Sequence, residues 1–352
     1  MNNGDKALNY SDIYLIPNYS ELRSRSQANI SVEFLGRRFA APWLPANMQA
    51  VVNQDVAKWL SENDYFYIMH RFGDTKAFVE KANKEKWKTI SISVGVKQVD
   101  KDLIEKICLI GSVHFITVDV AQSNNILVKE MINHIKYVYN NAICPKIIAG
   151  NVATPEAVVD LAEWGADAVK VGIGGSGVCT TKNMTGFHVP MFSCVKDCYE
   201  FSRYSYLHQY DIIDRGDGNE IPIIADGGIR DNGDIAKALV AGASLIMAGG
   251  MFAACIDAPG ENIYSQKKIS SQNEDRWLVN DKIIKKRYYG SASFIQKGHN
   301  SHVEGISSEI ECNGLTYAEK YQELKESLQS AISYAGGLNL DAFKNVKWVT
   351  TK

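Results

Sequence analysis

Cys179 stands in the run Val171-Gly-Ile-Gly-Gly-Ser-Gly-Val-Cys-Thr-Thr181, directly after the apolar stretch Ala168–Val171. Glycines let a backbone turn sharply and expose its N–H and C=O groups, and a cysteine presented on such a loop can act as a nucleophile. A single cysteine is more often a small buried packing residue. Here Gly172, Gly174, Gly175 and Gly177, with Thr180 and Thr181 following, favour the nucleophile. A free thiol is mostly protonated near neutral pH, so loop N–H groups or a nearby cation would have to raise its thiolate fraction.

Other chemistry-bearing residues close apolar runs. Asp119 ends one, Gly150-Asn151 another, Asp226-Gly227-Gly228 a third and Gly249-Gly250 a fourth. Bare glycine N–H groups can approach phosphate oxygens, so two such sites late in the chain point to a phosphorylated ligand. Asp119 reads either as a functional carboxylate or as the cap of the helix after it. Arg71 and Lys97 read either as cations meeting a phosphorylated cofactor or as solvated surface charge.

These residues need elements to position them. Apolar or β-branched runs recur at Trp43–Asn47, Phe66–His70, Thr89–Val96, Phe115–Val120, Lys146–Val152, Ala168–Gly174, Ile221–Gly227 and Leu245–Gly249, most followed by helical patterns. Near-continuous apolar strands alternating with amphipathic helices indicate a parallel sheet covered on both faces. Eight such units close most simply into a (β/α)8 TIM barrel, with an open doubly wound sheet as the alternative. Thr154-Pro155-Glu156 reads as a helix start and Gly165 as its stop, and Asp231–Gly242 repeats that logic. Cys194 and Cys198, four apart, read as packing on one helix face. The polar stretches 204–220 and 265–281 read as excursions from the barrel. The stretch after Gly290 has no strand partner and is expected to form a mobile flap, about 290–315, before a helix around Tyr317–Ser333. The whole chain, 1–352, reads as one barrel domain.

Bulk composition agrees with a globular enzyme. Hydrophobic residues make up 45% and charged residues 22% of the 352 residues, with a net charge of −2. No basic block favours nucleic acid. No apolar run approaches the ~18 residues needed to span a membrane. The first residues lack a signal-peptide pattern, and seven scattered cysteines suggest neither a disulfide framework nor a zinc site, so a cytoplasmic location is expected.

Longer motifs carry a resemblance. They include Tyr10-Ser-Asp-Ile-Tyr-Leu-Ile-Pro17, Pro45-Ala-Asn-Met-Gln49, Glu62-Asn-Asp-Tyr-Phe-Tyr-Ile-Met-His-Arg-Phe72 and Ser91-Ile-Ser-Val-Gly-Val96. Further along come Ile148-Ala-Gly-Asn-Val152, Ile224-Ala-Asp-Gly-Gly-Ile-Arg230, Tyr289-Gly-Ser-Ala-Ser293 and Ser333-Tyr-Ala-Gly-Gly337. In this order, and nearly end to end, they resemble the IMP dehydrogenase and GMP reductase superfamily. The reductase branch is the nearer. No CBS-type insertion is seen, and His302-Val-Glu-Gly305 lacks the Arg-Tyr pair with which dehydrogenases activate water.

The resemblance implies conversion of GMP and NADPH to IMP, NADP and ammonia through a covalent thioimidate on Cys179, with Thr181 and Glu304 protonating the departing amine. An IMP dehydrogenase without CBS modules, or a reductase for a related purine nucleotide, is the alternative. It further implies nucleotide contacts from Asp226, Gly227, Gly228, Gly249, Gly250, Gly290, Ser291, Ala292 and Gly305. Cofactor contacts would come from Arg71, Asp119, Val120, Ala121, Gly172 and Ile173, and from a neighbouring subunit's Ser24, Arg25, Ser333, Tyr334, Ala335 and Gly336, in a homotetramer. A potassium ion would draw on the carbonyls of Gly174, Ser176 and Cys179. The chain departs from the pattern at three places. Gly175 replaces proline, which should loosen the turn, and Ser176 stands where a glycine of positive φ is expected. Phe187-His-Val-Pro-Met191 replaces a glycine-rich segment, with His188 read as an exposed ring rather than a new polar contact. Gln122-Ser-Asn124 replaces His-Gly-His beside the nicotinamide pocket.

Overall fold

The computed structural model describes residues 7–208, 220–270, 275–297 and 303–351. Seven parallel strands form one sheet in the order Trp43–Pro45, Leu245–Ala248, Ile223–Asp226, Ala168–Val171, Lys146–Val152, Phe115–Asp119, Ser91–Val94. Apart from the first strand, neighbours in space are neighbours in sequence. Trp43–Pro45 pairs instead with the last of them, Ile246 opposite Trp43 and Met247 opposite Leu44. A first strand joined to the last is the topology of a closing barrel.

The remaining expected strand, Phe66–His70, contributes one bridge, Met69 to Ile92. Met69 N–H donates to Ser91 C=O (3.1 Å), and Ser93 Oγ donates back to Met69 C=O (2.6 Å). Side chains complete that side: Phe66 and Ile68 are buried in the same interior cluster as Leu44, Phe115, Ile148, Ala168, Ile224 and Leu245. The (β/α)8 barrel read from the sequence therefore stands, closed on this side more by packing than by a ladder.

Side chains alternate across a strand, so every second residue points into the barrel. Low in the barrel these are apolar. A hairpin, Val32–Phe34 with Arg37–Phe39, plugs that end, and its Phe34 and Phe39 rings lie 5.3 and 5.1 Å from Phe66. Two residues further along several of the strands the same inward face turns polar. Phe115 is followed by Thr117 and Asp119, Ala168 by Lys170, and Ile224 by Asp226. The outward faces pack on helices in a separate, larger cluster. Most strands are consequently apolar on both faces except toward their C-terminal ends, where the site must lie; Ser91–Val94, which buries Ser91 and Ser93, is the exception.

The connecting helices follow their caps. Thr154 Oγ1 accepts from Ala157 N–H, Pro155 opens the helix Pro155–Trp164, and Gly165 ends it with φ 109°. Cys194 and Cys198 are fully buried on the helix Met191–His208. The helix Tyr317–Ala335 starts on a Thr316/Glu319 capping box and covers the first strand, the Tyr321 ring lying 6.0 Å from that of Trp43.

One expectation fails. The chain after Gly290 does have a strand partner: Ser307–Glu311 pairs antiparallel with Asp275–Tyr289, which also pairs with Asn262–Ser270. Ser307–Glu311 carries Ile310 as its single apolar residue, packed against the core, so it gave too little apolar signal for a strand. Of the stretch 204–220, residues 209–219 lie outside the described residues. Among the described residues, no helix is long and apolar enough to cross a membrane.

Candidate active site

A cavity of about 360 Å³ opens at the C-terminal ends of the strands. The cysteine loop forms one wall. Gly172 leaves its strand at φ 136°, and a Cβ there would stand 2.3 Å from the Asp226 carbonyl, so only glycine lets the two strand ends approach. The loop then returns Cys179 to the cavity, with Cys179 N–H donating to Ser176 C=O (3.2 Å).

Three side chains meet there in a line. Cys179 Sγ lies 3.2 Å from Thr181 Oγ1, and Thr181 donates to Glu304 Oε2 at 2.7 Å. A hydroxyl has one proton to give and lone pairs to accept with, so Thr181 joins the thiol to the carboxylate. Glu304 comes from a distant part of the chain and is held by its backbone: Thr180 N–H donates to Glu304 C=O (2.9 Å), Glu304 N–H to Ala292 C=O (3.2 Å), and Ile306 N–H to Val178 C=O (2.9 Å). Gly305 bridges to both Cys179 and Ser293. The residues Gly290, Ser291, Ala292, Glu304 and Gly305 thus form a cover sewn to the cysteine loop, and all line the cavity.

The opposite wall carries charge. Lys170, its side chain 2% exposed, donates to Asp119 Oδ1 (2.8 Å) and Asp226 Oδ2 (3.3 Å) and lies 3.5 Å from Asn47 Oδ1. Burial alone would lower the ammonium's pKa; Asp119 and Asp226 outweigh it and push it up to about 12. A lysine so paired stays protonated and is no Schiff-base nucleophile. Asn151 Nδ2 donates to Asp226 Oδ2 (2.8 Å) and Gly172 C=O (2.7 Å). Arg71 sits with Nε 4.0 Å from Asp119 Oδ2 and its guanidinium over the Phe72 ring. Asp119 is therefore no helix cap; Asn125 caps the following helix.

Val120, Ala121, Ile173, Gly174 and Ser176 also line the cavity. Gly227, Gly228, Gly249 and Gly250 do not. Gly227 and Gly228 lie behind the cysteine loop, Gly228 N–H donating to Gly175 C=O (3.0 Å), and Tyr288 packs against Gly249. Ser24, Arg25 and Ser333–Gly336 gather at a separate patch, where Arg25 reaches the Tyr334 hydroxyl (3.3 Å) and Asn18 Nδ2 donates to Ala335 C=O (3.1 Å).

Two sequence expectations change. Ser176 is not among the residues of positive φ, so its side chain is accommodated; its Oγ lies 3.4 Å from the Tyr288 hydroxyl. At Gly175 a Cβ would lie 2.9 Å from Met191 Sδ, so the glycine permits close packing there. His188 is half-buried rather than an exposed ring, and its Nδ1 lies 2.7 Å from Ile173 C=O. A carbonyl only accepts, so Nδ1 carries the proton and braces the loop. Gln122, Ser123 and Asn124 stay out of the cavity wall, Asn124 donating to Asp160 (2.9 Å). Residues missed from the sequence are Lys170 and Tyr288. Lysine within the apolar strand Ala168–Val171 was the available signal, since a buried charge needs a partner.

A parallel barrel whose C-terminal rim presents a cysteine, joined through threonine to a carboxylate on a cover, defines a (β/α)8 barrel enzyme with a thiol at its functional rim. Residues 7–351 match the IMP dehydrogenase / GMP reductase domain family. The chain is similar to "GMP reductase" of Mesoplasma florum, at 41% identity over 350 residues covering 98% of each chain. It is also similar to that of Staphylococcus carnosus, at 40% identity with 99% and 97% covered, and of Leptothrix cholodnii, at 40% with 97% and 94% covered. The chain belongs to the IMP dehydrogenase / GMP reductase family.

Proposed function

We propose that the protein reduces GMP to IMP with release of ammonia, using NADPH. The contact that carries this reading is the line Cys179–Thr181–Glu304, 3.2 and 2.7 Å long, which joins a nucleophile to a proton-handling group without an Arg-Tyr pair. Cys179 Sγ adds to C2 of the purine as thiolate. The exocyclic amine leaves as ammonia, taking a proton through Thr181 from Glu304, and a thioimidate remains on Cys179. NADPH, when bound, would supply a hydride to C2; the carbon–sulfur bonding pair would then return to Sγ, releasing IMP and restoring the Cys179 thiolate.

The residues suit a phosphorylated dinucleotide. The cavity meets a second one of about 500 Å³ at Arg71 and Val120, and Lys97 and Lys106 line the latter. Arg71, Lys97 and Lys106 would hold anionic groups, while Asp119, Val120, Ala121, Gly172 and Ile173 would orient the reactive end. A neighbouring subunit of a homotetramer would add Ser24, Arg25 and Ser333–Gly336. Asp226 Oδ1, with no hydrogen-bond partner among the described residues, would accept from the ribose hydroxyls. Gly290, Ser291, Ala292 and Gly305 would close over the nucleotide as a flap of about 290–315, with the glycines at 227, 228, 249 and 250 completing the phosphate side. Potassium would draw on the carbonyls of Gly174, Ser176 and Cys179; Ser176 C=O accepts from Cys179 N–H and keeps a second lone pair.

The test follows NADPH absorbance and ammonia together on mixing protein with GMP. Matched loss and release are expected. NADH production from IMP and NAD, without GMP turnover, would replace this reading with a dehydrogenase.

A further inference from the structure

Lys170 has no step in the proposed chemistry, yet the barrel is built around it. Its stem passes Gly150, where a Cβ would lie 2.3 Å from the Lys170 Cβ, so a larger residue would block it. The ammonium ends between Asp119, on the dinucleotide side, and Asp226, on the nucleotide side, with Asn47 completing its three donors. We propose that Lys170 is a positioning residue, one shared cation that sets both carboxylates and so aligns the two halves of the cavity. This deepens the reductase reading and rests on it.

Two inward carboxylates in a water-poor interior repel each other unless a cation stands between them. Lys170 is that cation, since Arg71 is 4.0 Å from Asp119 and reaches only that one. Each carboxylate still has an oxygen that Lys170 does not hold, Asp119 Oδ2 and Asp226 Oδ1, and both residues line the cavity. A purely structural ion pair would bury both partners instead. Because one ammonium serves both, a change at either carboxylate must be felt at the other. The Asn151 amide, bonded to Asp226 and Gly172, is neutral and does not reach Asp119, so it cannot supply the charge that the two carboxylates share.

The experiment measures dissociation constants for IMP alone and for NADP alone by calorimetry on the full-length protein. Variants are Lys170→Met, Lys170→Arg and Asp119→Asn, each checked for folding by circular dichroism. Lys170→Met should weaken both ligands about tenfold or more, as removal of one partner from a buried charge cluster does. Lys170→Arg should recover most of the loss. Asp119→Asn should weaken NADP and also shift IMP affinity by about threefold or more, through the shared ammonium. A folded Lys170→Met variant that loses affinity for one ligand only, or for neither, overturns the proposal. Should Lys170→Met not fold, unchanged IMP binding by Asp119→Asn overturns it instead. Failure of the wild-type protein to bind IMP or turn over GMP sinks the reductase reading and this proposal together. Normal wild-type behaviour with unresponsive variants sinks this proposal alone.

Discussion

Replacing Glu304 by glutamine keeps size and hydrogen bonding while removing the group that handles a proton. The Thr181–Glu304 contact is 2.7 Å long, a normal hydroxyl–carboxyl hydrogen bond. A weaker amide contact in its place costs about 1 kcal/mol, or roughly fivefold in alignment of Thr181 on the thiol. Losing the acid itself costs more, about 10²- to 10⁴-fold for a positioned proton donor. Steady-state reduction of GMP should therefore fall by roughly 10³-fold. Stability should barely move, within about 0.5 kcal/mol, because the seam is made by backbone groups of Thr180, Ala292 and Glu304 that the change leaves intact. Hydride transfer needs no ammonia, so IMP with NADP should still give a burst of NADPH in the variant, slowed far less than turnover. Stopped-flow absorbance separates the two steps. A variant with near-normal turnover, or one in which burst and turnover fall equally, refutes the assignment of Glu304 to deamination.

Cys179→Ala should abolish turnover while IMP affinity, by calorimetry, stays close to wild type; retained steady-state turnover would sink the covalent route. Gly172→Ala forces a side chain to φ 136° and to 2.3 Å from the Asp226 carbonyl, and should cost at least about 2 kcal/mol in chemical denaturation together with nucleotide affinity. Burial holds His70 down from 6.5 to about 4, its Nδ1 accepting from Phe72 N–H (3.2 Å). The neutral ring is favoured in the folded state, so the unfolded chain binds more protons between those values. His70 thus contributes about 3 kcal/mol above pH 6.5 that is lost as pH falls toward 4. His70→Gln should flatten the stability profile across that window, and an equally steep profile in the variant would count against this account.

The barrel was legible because its strands are covered on both faces: each reads as an apolar run, and the spacing between runs leaves room for one helix. Helix ends at Thr154 and Gly165 were legible because capping is local chemistry. Cys179 was legible because glycines around it announce an exposed loop, and Asp119 and Asp226 because a carboxylate ending an apolar strand is conspicuous. Roles for Thr181 and Glu304 came from the resemblance, since nothing local marks them.

What the sequence alone determined was therefore the alternation of strands and helices, and which strand ends carry reactive groups; both follow from periodicities of a few residues. Tertiary structure decided the rest, because its partners are far apart in the chain. It brought Glu304 to Thr181, 123 residues away, and Asp119 and Asp226 to Lys170. It withdrew Gly227 and Gly228 behind the loop, drew His188 onto Ile173, and gave the polar segment Ser307–Glu311 a strand to pair with. Each depends on the barrel bringing distant strand ends to one rim, a constraint no short stretch of sequence records.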